Sequence, residues 1–327
     1  MKEILTYTIN IHVVRCKSIL VSCFLFLMSS LGYAQQDPQY SQYMFNQLVI
    51  NPAYAGSKEA LSVVMDLRKQ WVAMPGSPQT GTISMHGQLL NSLGIGGHLI
   101  AESIGPTKWT AAYFDAAYRF KVGRGKLSFG LSGGIVNYNV NASALDYKDG
   151  GEPILNYTGP RTKFDINTGF YYYNQSFYIG GSITHFNSPV LYNSTSTVNI
   201  ANVPTNASLY FSLQPHSFLY FGKGFQLSQD LVFNPSIMLK NVQGGKASID
   251  LNANFLLANR VWLGLSWRTT YGFVALIQVL VNDKFRVGYS YDQGLNRIGI
   301  QGQGSHEVTL IYTFNKFKTK MLSPRYL

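Results

Sequence analysis

Ten residues in the last third of the chain decide the fold: Lys246-Ala247-Ser248-Ile249-Asp250-Leu251-Asn252-Ala253-Asn254-Phe255. Every second side chain from Ala247 to Phe255 is apolar, and the residues between them are polar. An alternation of period two is typical of a β-strand whose two faces meet different surroundings. The stretch therefore predicts a strand with one apolar and one polar face.

The same alternation recurs along most of the chain, for example over residues 61–68, 285–292 and 307–314. It predicts about fourteen strands. They are placed at residues 60–71, 79–90, 93–103, 108–121, 125–139, 163–173, 176–186, 206–221, 225–239, 246–257, 260–270, 273–281, 284–293 and 305–315.

The connections between these strands alternate in length. Even-numbered connections are tight, such as Asn91-Ser92, Asn282-Asp283 and the turn Gly222-Lys223-Gly224, whereas odd-numbered ones, such as 140–162 and 187–205, are mostly longer. Membrane barrels have short periplasmic turns and longer outer loops. The pattern favours an all-β, up-and-down antiparallel transmembrane barrel with both termini periplasmic. A soluble β-sandwich or solenoid is the alternative, but it has no reason to keep this parity.

The composition agrees with a lipid-facing barrel. Charged residues make up 13% of the chain and aromatic residues 14%, while mean hydropathy is only +0.01. These values exclude a disordered chain and a bundle of membrane helices. In a barrel, aromatic residues near strand ends form belts at the two membrane interfaces. The candidates for these belts are Tyr113, Tyr118, Phe120, Tyr138, Tyr220 and Tyr271.

The first 34 residues read as a cleaved signal peptide. Basic residues precede an apolar run over 19–31, and Gly32-Tyr33-Ala34 provides small residues at the cleavage site. A single membrane anchor is the alternative, although the run is short and interrupted by serines. Both cysteines, Cys16 and Cys23, lie in this part, so the mature chain offers no disulfide, thiolate nucleophile or cysteine zinc site.

Removal of the signal peptide lowers the formal charge from +11 to +9. Most of what remains lies on the short turns and in a basic periplasmic tail, residues 316–327. This basic rim comprises Lys121, Arg124, Lys126, Lys223, Lys316, Lys318 and Lys320. It favours a negatively charged periplasmic partner, or serves only to keep a short rim soluble. A nucleic-acid interface is not expected, because no known binding motif is present.

Polar residues on the inner face either line a pore or pair with one another to close the interior. The balance of signs slightly favours an internal ion-pair network. These residues are Asp66, Arg68, Asp115, Arg119, Asp250, Arg268, Arg286, Asp292 and Glu307.

Little in the sequence indicates an enzyme. Gly130-Leu131-Ser132-Gly133-Gly134 matches the G-x-S-x-G pattern of hydrolases, which requires a strand-to-helix turn, but here it lies within a predicted strand. The five mature histidines, His86, His98, His185, His216 and His306, have no paired spacing. We therefore expect no catalytic residue, no cofactor and no metal.

The segment at residues 35–59 precedes the first predicted strand and is rich in aromatic residues. It is assigned to the periplasmic side. Because its aromatic rings would be costly to leave in water, we expect it to pack on the barrel mouth, in the lumen or on a partner. Asn51-Pro52 and Gly56 predict a turn that leads into the barrel, residues 60–315. The predicted partner-binding residues are Tyr40, Tyr43, Phe45, Asn51, Pro52, Tyr54 and Gly56.

Four short motifs together resemble the PorP/SprF family of outer-membrane proteins from the type IX secretion and gliding systems of Bacteroidota. They are Asp37-Pro38-Gln39-Tyr40-Ser41-Gln42-Tyr43, Asn51-Pro52-Ala53-Tyr54-Ala55-Gly56, Arg68-Lys69-Gln70-Trp71-Val72 and Ile104-Gly105-Pro106-Thr107.

The resemblance implies a non-enzymatic outer-membrane barrel that helps to secrete a cargo protein and then anchors it at the surface. The cargo would be a gliding adhesin or another protein with a type IX C-terminal sorting domain, and periplasmic components of the machinery would be further partners. Long outer loops are then the expected cargo-binding surface, with Tyr147, Tyr157, Pro189 and Tyr192 as candidates. A passive diffusion channel is the alternative function.

Overall fold

The computed structural model describes residues 37–58, 60–145, 159–200 and 203–314. Segments in which apolar and polar residues alternate form strands along the described chain. The strands are β1 Ser62–Lys69, β2 Gln79–Gln88, β3 Leu93–Ile104, β4 Thr107–Val122, β5 Gly125–Val140, β6 Arg161–Tyr173, β7 Phe177–Thr184, β8 Val190–Ile200, β9 Val203–Ser212, β10 His216–Lys223, β11 Phe225–Gln226, β12 Leu231–Val242, β13 Ser248–Leu257, β14 Val261–Arg268, β15 Gly272–Asn282, β16 Phe285–Gly294 and β17 Ser305–Thr313.

Fourteen of these strands close into an antiparallel barrel. Each pairs with the next along the chain, the first strand β1 pairs with the last strand β17, and β10 pairs with both β7 and β12. The two-residue strand β11 adds to the edge of β12, and β8 with β9 forms a separate hairpin. The predicted fourteen-stranded barrel is confirmed.

The barrel is apolar outside and polar inside, as the alternation in β13 predicts. Asp250 and Asn254 are fully buried in the interior, while Leu251 on the same strand is 42% exposed. Leu265 on the neighbouring strand β14 is 68% exposed. This is the reverse of a soluble protein and the arrangement that lipid requires of a barrel.

One predicted strand is wrong. Residues 206–221 were expected to form one strand, but β9 ends at Ser212 and β10 begins at His216. Pro215 lies between them and has no backbone N–H for the ladder. Much of the expected loop 187–205 is accordingly the β8–β9 hairpin, which leaves the barrel between β7 and β10.

A predicted turn is also wrong. Gly222-Lys223-Gly224 was expected to connect two barrel strands, yet the chain continues into β11 and turns at 227–230, where Leu227 and Ser228 donate backbone hydrogen bonds to Leu231. The alternation of connection lengths otherwise holds, with two exceptions, the short connections 105–106 between β3 and β4 and 269–271 between β14 and β15. We call the two ends of the barrel the short-turn end and the long-loop end.

The aromatic belts are confirmed only in part. Tyr118 and Phe120 face outward, but Tyr113, Tyr220 and Tyr271 are buried. In β4, the side chains of odd-numbered residues point inward, so Tyr113 shares the face of Asp115. Strand parity, rather than closeness to a strand end, decides on which side of the wall an aromatic ring lies.

Helices play a small part in the described residues. The α-helix Arg297–Gln301 connects β16 to β17 at the long-loop end, and 3-10 turns span Gln47–Val49, Pro52–Tyr54 and Ala142–Ala144. None of the helices in the described part of the chain has the length and apolar character to cross a membrane.

Candidate functional site

The N-terminal residues 37–58, here called the lumen segment, run through the inside of the barrel. Asp37 contacts His185 and His216 at the long-loop end, and Gly56 contacts His86 and Arg119 near the short-turn end, where β1 begins. From Tyr40 to Lys58 every residue is buried. The lumen segment is therefore enclosed by the barrel wall along most of its length.

This location corrects the assignment of the segment to the periplasmic side. Of the barrel mouth, the lumen and a partner surface, the lumen is where its aromatic rings are buried. Tyr40, Tyr43, Phe45, Asn51, Pro52, Tyr54 and Gly56 all lie there. The polar inner wall accounts for the placement, because it supplies partners both for the backbone groups of the segment and for its polar side chains.

At the long-loop end the lumen segment is held by a buried ionic cluster. Arg68 in β1 donates to Asp292 at 2.6 Å and to Glu307 at 3.0 Å. The same Glu307 carboxylate accepts backbone N–H groups from Ser41 and Gln42, both at 2.8 Å. The Ser41 hydroxyl donates to Asp292. One cluster thus joins barrel strands β1, β16 and β17 to the segment.

A second ionic group lies beside the first. Asp250 accepts from Lys240 at 2.7 Å and from Arg268 at 3.1 Å. Arg268 also donates to the side chain of Gln39 and to the backbone carbonyl of Tyr40. Buried charges are tolerated only when they are paired and hydrogen-bonded, and these carboxylates and guanidinium groups meet that condition. The internal network favoured by the sequence is therefore present.

The middle of the lumen combines polar anchors with apolar filling. Asn46 donates to Asp66 at 2.7 Å and accepts from Ser84 at 2.7 Å. Phe45 is fully buried and packs edge-on against Trp262, with ring centroids 6.0 Å apart. The rings and aliphatic side chains of the segment fill the space between the walls.

The predicted turn at Asn51-Pro52 is built as a capped 3-10 turn. The Asn51 side-chain oxygen accepts the N–H of Ala53 at 2.9 Å, and Pro52 occupies the first helical position. The amide group of Asn51 donates to the carbonyl of Phe170 at 2.9 Å and to the hydroxyl of Tyr220 at 3.0 Å. A single buried Asn therefore shapes the turn and fixes it to the wall.

Glycines in the wall let the lumen segment approach closely. A Cβ atom at Gly130 would overlap the backbone of Ala53, and one at Gly94 would overlap the carbonyl of Ala55. Gly130 belongs to the G-x-S-x-G pattern, which lies inside β5 without the required strand-to-helix turn. In this barrel, Gly130 of the pattern therefore allows close packing of the lumen segment against the wall.

Near the short-turn end the lumen is rich in positive charge. Arg119 donates to the carbonyls of Gly56 and Ala55. Lys58 is buried, and among the described residues no carboxylate forms an ion pair with it. Burial and the nearby guanidinium of Arg286 lower the pKa of Lys58 to about 7. This end therefore carries cations where the long-loop end carries paired charges.

Two histidines meet the first described residue of the lumen segment. His185, just after β7, donates to Asp37 at 2.8 Å and to Asp165 at 2.7 Å. Burial opposes the charge on His185, but the two carboxylates outweigh it and raise its pKa to about 10. Burial likewise opposes ionisation of Asp37, yet His185 and His216 hold its pKa well below the usual range.

The predicted cargo-binding residues and the basic rim lie outside the lumen segment. Pro189 and Tyr192 are buried at the base of the hairpin, so neither presents its side chain as an outer surface. Tyr147 and Tyr157 lie outside the described residues, as do Lys316, Lys318 and Lys320. Lys121, Arg124, Lys126 and Lys223 lie at the short-turn end, Arg124 in the turn between β4 and β5 and the others at strand ends.

The sequence does not predict two features of the structure. Leu295, Ile298 and Ile300 are exposed around the short helix at the long-loop end, and a five-residue helix in a long connection leaves no recognisable periodic signal. The second feature is the pair His185 and His216, which are distant in sequence and meet only because β7 and β10 are neighbours. Exposed aromatic residues, Phe186 and Tyr210, also lie near this end.

A closed fourteen-stranded antiparallel barrel, apolar outside and filled with a buried polar network, defines a membrane protein of the outer-membrane β-barrel class. Residues 32–312 match the family model described as type IX secretion system membrane protein PorP/SprF. The chain belongs to this family. No curated protein matches the sequence.

Solved structures with a similar fold are also barrels. The toluene transporter TbuX of Ralstonia pickettii matches with a TM-score of 0.50 and 9% identity, over 84% of this chain and 94% of its own. The toluene transporter TodX of Pseudomonas putida matches with a TM-score of 0.46 and 11% identity, over 87% and 95%. At such identities the likeness concerns the fold alone.

Proposed function

We propose that this protein is a non-enzymatic outer-membrane scaffold that supports type IX secretion and holds the secreted cargo at the surface. The observation that carries the proposal is the lumen segment, which fills the barrel and is bonded to the wall at both ends. A barrel filled in this way is suited to holding a partner on its rim rather than to passing solutes.

Bonding around the lumen supports a closed resting state. Glu307, Asn46 and Asn51 connect the segment to different parts of the wall, so release of the segment breaks several buried hydrogen bonds at once. Leaving buried donors or acceptors unpaired costs about 1–3 kcal/mol each. This cost weighs against spontaneous opening and against the alternative of a passive diffusion channel.

The proposed cargo surface is the exposed apolar patch formed by Leu295, Ile298 and Ile300 at the long-loop end. Exposed apolar patches mark interaction sites more often than solvated surface. In this proposal the long-loop end faces outward and the short-turn end, with its basic rim, faces the periplasmic machinery. The cargo class is a protein with a type IX C-terminal sorting domain, of which a gliding adhesin is an example.

The test is cargo retention by cells that carry the triple variant Leu295→Ser, Ile298→Ser and Ile300→Ser. We expect the cargo to appear in the medium instead of on the surface, with barrel levels unchanged. Leu227→Ser is the matched control, since Leu227 is equally exposed but lies at the short-turn end. Unchanged retention in the triple variant would remove this patch from the proposal.

A further inference from the structure

The long-loop end of the lumen holds a group of metal-ligating side chains that the proposed function does not use. Asp37, His185 and His216 each offer one ligand atom, and these atoms all lie within 4.8 Å of one another. They come from three separate places: the start of the lumen segment, the loop after β7 and the first residue of β10.

A hydrogen bond at Nδ1 fixes the orientation of both imidazole rings. The Nδ1 atom of His185 lies 2.7 Å from the carboxylate of Asp165, which also accepts the hydroxyl of Tyr113 at 2.6 Å. The Nδ1 atom of His216 lies 2.8 Å from the carbonyl of Gln214. Metal-bound histidines nearly always give their second ring N–H to a carboxylate or a carbonyl in this manner. The Nε2 atom of His185 is left to face the Asp37 carboxylate. In His216, Nε2 accepts the backbone N–H of Asp37 at 3.1 Å, and Nδ1 lies 3.5 Å from the carboxylate.

The distances suit a small divalent ion. The Nε2 atom of His185 lies 2.8 Å from one oxygen of Asp37, and the ligand atoms of the three residues lie within 4.8 Å of one another. Ligands bound tetrahedrally at about 2.0–2.1 Å are separated by about 3.3 Å. Spreading the His185–Asp37 contact by about half an ångström therefore makes room for an ion. The ion replaces the Nε2 proton of His185, which is released to solvent, and the Asp37 N–H has to turn away from Nε2 of His216.

We propose that Asp37, His185 and His216 bind a divalent transition-metal ion, with Zn²⁺ as the best fit. Two imidazoles and one carboxylate are a donor set that suits zinc. The side chain of Asp37 is 21% exposed, which leaves a side open for a water molecule as the fourth ligand. The ion would fasten the lumen segment to the two strands between which the hairpin leaves the barrel.

The experiment uses the purified full-length mature protein in detergent, stripped with a chelator and titrated with Zn²⁺ alone. We expect a single zinc ion per chain in calorimetry and in metal analysis after dialysis. His216→Ala and Asp37→Asn should each weaken zinc binding by about tenfold or more. His306→Ala is the matched control, because His306 lies on β17 beside Tyr289 and away from the site.

A second readout tests the ligands directly. Co²⁺ in place of Zn²⁺ should give the visible absorption of a four-coordinate site in the wild-type protein and in His306→Ala, and lose it in Asp37→Asn. Circular dichroism verifies that each variant keeps its β-barrel. Absence of zinc above the detergent blank in the folded wild-type protein, or equal zinc affinity in folded His216→Ala, would overturn the proposal.

Discussion

Arg68 and Glu307 face each other across the junction where the first barrel strand pairs with the last, and their side chains form an ion pair at 3.0 Å. The same carboxylate receives the backbone N–H groups of Ser41 and Gln42. Closure of the barrel and seating of the lumen segment therefore depend on one side chain. Glu307 is the point at which the two are coupled.

Glu307→Gln should loosen both features together. The substitution removes the negative charge from a buried cluster and leaves Arg68 with one partner fewer, at a cost on the order of 3 kcal/mol in the free energy of unfolding. Denaturant unfolding in detergent measures this cost, and hydrogen exchange at Ser41 and Gln42 reports the segment. The exposed Asp230→Asn serves as the control. Unchanged protection of both amides would contradict the coupling.

Gly130→Ala should displace the lumen segment while leaving the barrel intact. The added Cβ would overlap the backbone of Ala53, and overpacking of this kind costs about 1–3 kcal/mol. Hydrogen exchange of residues 51–56 should rise. Gly133→Ala, on the same strand, is the matched control, because its Cβ would meet only the Phe164 ring at 3.5 Å, an ordinary contact. Equal exchange in the two variants would refute the close approach.

Lys58→Met should stabilise the protein, and the gain should depend on pH. Burial lowers the pKa of Lys58 to about 7, while the unfolded chain keeps a pKa of about 10.4. Below pH 7 both states are protonated and the folded state bears the full cost of a buried charge. Between pH 7 and about 10.4 the unfolded state binds more protons, so wild-type stability rises with pH.

The gain from Lys58→Met should therefore be greatest below pH 7 and shrink toward pH 10. At about 1.4 kcal/mol per pKa unit, its upper limit is a few kcal/mol. Melting temperatures at several pH values measure it, with the exposed Lys121→Met as control. A gain that does not change with pH would mean that Lys58 is not a buried cation.

Much of the barrel is predictable from the sequence because its two faces meet lipid and a polar lumen. The alternation over 246–257 gives β13 and the side to which Asp250 and Leu251 point. Alternation does not mark where a strand leaves the wall, so the hairpin before Pro215 was missed. The prediction that Tyr220 belongs to an outer aromatic belt fails for a related reason, since its ring is buried. Alternation assigns a side chain to one side of the wall only when the bounds of its strand are known.

The lumen segment was predictable only as a segment that must pack somewhere. Its aromatic residues signal burial, and Asn51-Pro52 signals a turn. The partners that hold it, Asp292 and Glu307, lie some 250 residues further along the chain. No local pattern connects residues so far apart, and the meeting of His185 with His216 escaped for the same reason.

The central claim is that the protein's own N-terminal segment fills the lumen, and conductance in planar bilayers tests it most directly. The full-length protein should be electrically silent, whereas a variant lacking residues 37–58 should, once inserted, give a steady open channel. A steady conductance from the full-length protein, equal to that of the deletion variant, would contradict the account.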